Sequence, residues 1–106
     1  MKIPGLVGGT GRVSTAEYYR LINEKSNQRL GDLKFAKLLL YSLNYGDIET
    51  LNRTGNREGV YRLVEEAALK LEKGGADGIV LCANTLHQFS DRLESIVTVP
   101  IIHIAD

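Results

Sequence analysis

Short apolar runs alternate with amphipathic segments along the whole chain, and that alternation predicts strands separated by helices. Gly5-Leu6-Val7 reads as a first strand running into Gly8-Gly9-Thr10-Gly11. Ser14 opens a helix, where Ser14 and Glu17 have capping-box spacing and Tyr18, Tyr19, Leu21 and Ile22 supply the apolar face. Gly31 stands where a helix C-terminal glycine belongs. The segment 37–43, centred on Leu38-Leu39-Leu40, predicts a second strand covered on both faces, because a continuous apolar run suits a buried parallel strand. A short helical turn is expected from Asp47.

The clearest helix follows. Val60, Leu63, Val64, Ala67, Ala68 and Leu71 recur on one face of a 3.6-residue period, and Gly74-Gly75 ends it. Gly78-Ile79-Val80-Leu81-Cys82 predicts a third strand. Asn84 and Thr85 both suit a helix start, Thr85 and Gln88 have the spacing of a second capping box, and Leu86, Phe89 and Leu93 form the inner face. Pro100-Ile101-Ile102-His103-Ile104 predicts a fourth strand.

Strands separated by helices require right-handed crossovers into a parallel sheet. The expected fold is therefore α/β: a flavodoxin-like three-layer sandwich with four parallel strands in the order 2-1-3-4. Ligands in such sheets bind beyond the carboxyl ends of the strands, where the strand order reverses. Here that point falls between the first and third strands. It brings Gly8-Gly9-Thr10-Gly11 beside Cys82-Ala83-Asn84-Thr85, the two most distinctive local sequences in the chain.

Composition narrows the setting. The chain has 106 residues, 43% hydrophobic and 25% charged, as expected of one small globular domain. Lys+Arg and Asp+Glu both count 13, so the balance favours neither nucleic acid nor a membrane surface as partner. No apolar run has the length of a membrane span, and the start has no secretory-signal pattern. One cysteine cannot form an internal disulfide, which fits a reducing cytoplasm.

That cysteine is the centre of the candidate chemistry. Cys82 ends a strand just before a helix, where the helix dipole is expected to lower its pKa and make it a base or nucleophile near neutral pH. The same position also suits a buried structural thiol closing the run Ile79-Val80-Leu81. Asn84 and Thr85 can bind a carboxylate through free N–H groups or can simply cap the helix. The glycine loop permits close ligand approach or a plain tight turn.

Several alternatives are weakened by specific residues. Ser14 stands where a dinucleotide fingerprint needs its third glycine, and the second strand ends in Ser42-Leu43-Asn44 without the ribose-binding acid. Gln88 occupies the position where a thiol phosphatase needs its arginine. Cys82, His87 and His103 are too few and too scattered for a zinc site, so no metal is expected. His87 in the first turn after Cys82 can orient or tune the thiol, giving a Cys–His pair, or can lie at the surface; His103 reads as a core-edge residue.

Taken together, Gly8-Gly9-Thr10-Gly11, Ser14-Thr15, Tyr18-Tyr19-Arg20, Leu81-Cys82-Ala83-Asn84-Thr85-Leu86-His87 and the terminal Ile102-His103-Ile104-Ala105-Asp106 resemble the aspartate/glutamate racemase family, over essentially the whole chain. The cysteine segment resembles that family's first catalytic motif. Thr10 and Arg12 depart from its frequent Gly-Gly-Met-Gly-Pro loop, which leaves substrate identity open.

The resemblance implies racemisation of an acidic amino acid, aspartate or glutamate, without pyridoxal phosphate or any other cofactor. Two cysteines on opposite faces of the substrate exchange the α-proton, and Cys82 is one of them. Gly9, Thr10, Asn84 and Thr85 would hold the substrate's carboxylate and amino groups, with Asn44 and Tyr45 facing the pocket and His87 tuning the thiol. Family members have two similar domains, each with a cysteine. Residues 1–106 correspond to one half-domain, so the expectation is a piece of a longer protein. A degenerate gene product, and a homodimer in which two copies share a cleft, are the alternatives. Two readings from other classes stay open: a non-catalytic domain that binds an amino acid, and a Cys–His hydrolase or transferase.

Overall fold

A computed structural model of the protein describes residues 3–8, 20, 37–82 and 84–102. Strands β1 (Pro4–Gly8), β2 (Leu39–Ser42), β3 (Gly78–Leu81) and β4 (Ile101–Ile102) form one parallel sheet in the order β2-β1-β3-β4, as the alternating pattern predicts. The register sets Val7 opposite Tyr41 on one side and Leu81 on the other.

Side-chain alternation along the strands divides the core into two faces. On one face Val7, Ile79, Leu81 and Ile101 join the buried residues of the helices. On the other face lie Leu6, Val80 and Cys82, with Leu38 packed against them. The expected sandwich has helices on both faces. The helix predicted from Ser14, its capping box and Gly31 lie outside the described residues, except that Arg20 is helical.

Between β2 and β3 run α1 (Tyr45–Arg53) and α2 (Arg57–Lys73). The expected short turn from Asp47 is thus a nine-residue helix beginning two residues earlier. Its start is set by Asn44, whose side chain accepts from the amides of Gly46 and Asp47. Helix α2 buries Val60, Val64, Ala67, Ala68 and Leu71 as its periodicity requires. Tyr61 is also buried and Leu63 only half-buried, because Tyr61 faces Phe89 in an edge-on ring contact at 5.5 Å and the burying surface extends to that side. Gly74 caps the helix, and Gly75 follows at φ 104°, which favours glycine.

Strand β2 differs from expectation. It is shorter than 37–43 and is an edge strand, and Leu40 is 47% exposed, so the leucine run is not buried throughout. Every position of β3, flanked by β1 and β4, is buried. After Cys82 the chain forms a 3₁₀ helix (Asn84–Phe89) and then the short α3 (Ser90–Glu94), in place of the single α-helix expected. Phe89 stands at the N-cap of α3 without a side-chain cap bond, and Leu86, Phe89 and Leu93 face the core as predicted. His103 and Ile104, expected in β4, lie outside the described residues.

Candidate active site

The crossover topology sets the positions of the candidate residues. Strand order reverses between β1 and β3, and Cys82 directly follows β3 at that point. Its amide donates to the carbonyl of Val7 at 3.0 Å, which ties the end of β3 to the end of β1. One residue further along β1, the carbonyl of Gly8 accepts from Leu43 at 2.7 Å, so the end of β2 joins the same edge of the sheet. The expected placement of the β1 and β3 ends side by side therefore holds in the backbone, and the end of β2 adjoins them.

The thiol itself is deeply placed. Cys82 is 1% exposed and packs with Leu6 and Val80. Its Sγ lies 3.9 Å from the Val80 carbonyl, a weak contact. Burial pushes the thiol up to about 12 from its ordinary value. The expected lowering by a helix dipole does not prevail. The element that follows is a 3₁₀ helix, and the apolar surroundings disfavour the thiolate.

His87 bonds the backbone at the end of β3. Its Nε2 lies 3.1 Å from the carbonyl of Leu81. A carbonyl only accepts, so Nε2 is the protonated nitrogen in that bond. Ser90 Oγ donates to the His87 carbonyl at 2.8 Å and fixes the backbone of the same turn. Leu86 and Phe89 beside it are buried and anchor that turn in the core.

Asn44 sits at the end of β2 with its side-chain oxygen engaged in capping α1, and Tyr45 beside it is 55% exposed. Asn84 and Thr85 begin the 3₁₀ helix immediately after the cysteine segment; their side chains, with Gly9 and Thr10, lie outside what is described. Among the described residues, no group of three or more His, Cys, Asp or Glu is placed to hold a metal ion. A surface hollow lined by Arg62, Glu65, Leu69 and Lys73 belongs to α2 alone. Also among the described residues, no helix is long and apolar enough to cross a membrane.

Residue-type reasoning missed the two carbonyls that hold this site, Val7 and Leu81. The signal for Val7 was present in the predicted pairing of the first and third strands. The Leu81 contact required knowing that a 3₁₀ helix returns His87 to the strand end.

Comparison with known proteins places this arrangement. Residues 7–106 match the family model described as Asp/Glu/hydantoin racemase. The chain is similar to the broad specificity amino-acid racemase of Bacillus subtilis, 26% identical over 96% of this chain and 45% of that protein. It superposes on a crystal structure from Yersinia pestis, described as a candidate Asp/Glu racemase, with a TM-score of 0.92 and 42% identity, covering 100% of this chain and 46% of the other. An aspartate racemase homologue from Pyrococcus horikoshii superposes with a TM-score of 0.86 and 33% identity, over 97% of this chain and 45% of the other. The chain thus spans about half the length of these relatives.

Proposed function

The chain belongs to the Asp/Glu/hydantoin racemase family, and on that footing we propose that it supplies one half of the active site of an amino-acid racemase, with Cys82 as one of two acid/base groups. The observation that carries this reading is the place of Cys82. The chain's one cysteine follows β3 at the point where strand order reverses, and its amide is bonded to β1.

Racemisation breaks the Cα–H bond on one face of the substrate and forms a new one on the other. In one direction a thiolate takes the α-proton and becomes a thiol, while a second acid delivers its proton to the opposite face of the carbanion. In the reverse direction the two exchange roles. Burial holds Cys82 as a thiol at neutral pH, so its resting role is proton donor. To act as base it needs a nearby positive charge, and the substrate's own ammonium group supplies one. The second acid/base is proposed to be another cysteine, and it then comes from outside these residues, since the chain has a single cysteine.

The proposed substrate is an acidic amino acid, aspartate or glutamate. Its carboxylate and ammonium groups are assigned to Gly9, Thr10, Asn84 and Thr85. Tyr45 is assigned to the pocket wall, and no cofactor is needed. Asn44 keeps its cap and contributes through position alone. Exchange of solvent deuterium into the substrate Cα tests the reading in the protein carrying this chain. The exchange is expected with the wild type and lost in Cys82→Ser; exchange that survives the substitution excludes Cys82 as an acid/base.

The burial of Cys82 favours one other reading, a domain that binds an amino acid without moving its proton. Binding without any Cα exchange in the wild type would establish it.

A further inference from the structure

We propose that His87 is a positioning residue, which fixes the aim of Cys82 by holding the Leu81–Cys82 peptide group. The carbonyl of Leu81 and the amide of Cys82 belong to one planar peptide. In a strand these two polar atoms point to opposite sides. The Cys82 amide points to β1 and donates to Val7 at 3.0 Å. The Leu81 carbonyl takes its bond from His87 Nε2 at 3.1 Å. Both ends of the peptide plane are held, so its rotation is blocked and the direction of the Cys82 Cα–Cβ bond is set.

The imidazole is held in turn. The 3₁₀ helix Asn84–Phe89 brings residue 87 back against the end of β3. Buried Leu86 and Phe89 anchor that turn, and buried Ser90 bonds the His87 carbonyl at 2.8 Å. This accounts for the spacing between cysteine and histidine in Leu81-Cys82-Ala83-Asn84-Thr85-Leu86-His87 without any transfer of a proton between them. The inference rests on the racemase reading only in treating the aim of Cys82 as catalytically important.

The test uses His87→Leu and His87→Gln in the protein carrying this chain. Glutamine places an amide N–H₂ near the position of Nε2 and preserves the donor; leucine removes it. Alkylation of Cys82 by iodoacetamide reads the thiol directly. Release of one hydrogen bond is expected to raise the rate about fivefold in His87→Leu and to leave His87→Gln near wild type. Misaiming an acid/base group is expected to lower kcat about 100-fold in His87→Leu with little change in KM, and glutamine restores most of it.

The ¹⁵N spectrum of the wild-type imidazole gives a reading that needs no folded variant: the Nε2–H tautomer is expected at neutral pH. An Nδ1–H tautomer overturns the proposal. So does alkylation that is the same in all three proteins, or a His87→Gln as impaired as His87→Leu, which would make the ring itself a proton carrier. If instead Cys82→Ser retains Cα exchange, the racemase reading fails while the alkylation comparison still decides whether His87 positions residue 82.

Discussion

The guanidinium of Arg92 lies 3.7 Å from the centroid of the Tyr61 ring, and its two terminal nitrogens donate to the two carboxylate oxygens of Glu58 at 2.7 Å each. This contact ties the short helix behind the cysteine loop to the first turns of α2. Arginine suits it because one planar group can stack on a ring and grip a carboxylate with both nitrogens. Arg92→Lys is expected to lower Tm nearly as much as Arg92→Ala, since an ammonium reproduces neither feature. A lysine variant that melts with wild type would show that charge alone suffices.

Tyr61 carries a second expectation. Its hydroxyl is buried and makes no hydrogen bond of good geometry among the described residues, while burial, more than the nearby Glu65 carboxylate, pushes its phenol above the ordinary value. Removing an unsatisfied buried polar group while keeping the ring is close to neutral or stabilising, by about 1 kcal/mol. Denaturant unfolding of Tyr61→Phe checks this, and a loss well above that size would reveal a partner for the hydroxyl.

Glu72 governs the approach to β4. Its carboxylate accepts from the Thr98 amide at 2.6 Å, the Thr98 hydroxyl at 2.8 Å and the Val99 amide at 3.3 Å. The two Thr98 bonds, more than the one from Val99, hold its pKa below the ordinary 4.5. A carboxylate depressed in the folded state binds fewer protons there than when unfolded. Its stabilisation is therefore complete above about pH 4.5 and fades as pH falls through the folded value. The Tm gap between wild type and Glu72→Gln should be largest at neutral pH and close on acidification. A gap that widens in acid would reverse the assignment.

Two strand glycines should respond differently to a methyl group. A Cβ on Gly5 would lie 2.8 Å from Ala76 Cβ and 3.1 Å from Leu71 Cβ, neither of which can swing away. A Cβ on Gly78 would meet mainly the Ile102 Cδ1 tip at 2.5 Å, the movable end of a side chain that is 37% exposed. Gly5→Ala is expected to cost about 1–3 kcal/mol by overpacking, and Gly78→Ala less. Chemical denaturation of the two variants gives the order directly; the opposite order would place the tight contact on the other face of the sheet.

Asn44 should behave as a cap. Asn44→Ala is expected to lose about 1 kcal/mol of stability, and Asn44→Asp to keep most of it, because aspartate also accepts the Gly46 and Asp47 amides. An alanine variant with wild-type stability and a raised KM would return Asn44 to the substrate.

The sequence was most legible where a pattern had one physical solution. The periodicity from Val60 to Leu71 specified α2, and alternating strands and helices specified the parallel order β2-β1-β3-β4. Leu38-Leu39-Leu40 misled because an apolar run does not distinguish an edge strand from a central one. Asn44 was ambiguous because a side chain that suits a ligand also suits a helix start, and here it caps α1. The protonation of Cys82 was not legible. A local dipole argument cannot weigh the apolar contacts of Leu6 and Leu38, which come from other segments and join Val80 on the same face as the thiol.

The central claim is that Cys82 moves the α-proton of an amino acid, and solvent-deuterium incorporation at Cα tests it most directly. Aspartate and glutamate, each as both enantiomers, would be incubated in D₂O with the protein carrying this chain, in wild-type form and as Cys82→Ser. The account predicts deuterium at Cα with the wild type, and a loss of several orders of magnitude on substitution while binding persists. Incorporation at an undiminished rate in Cys82→Ser would contradict it.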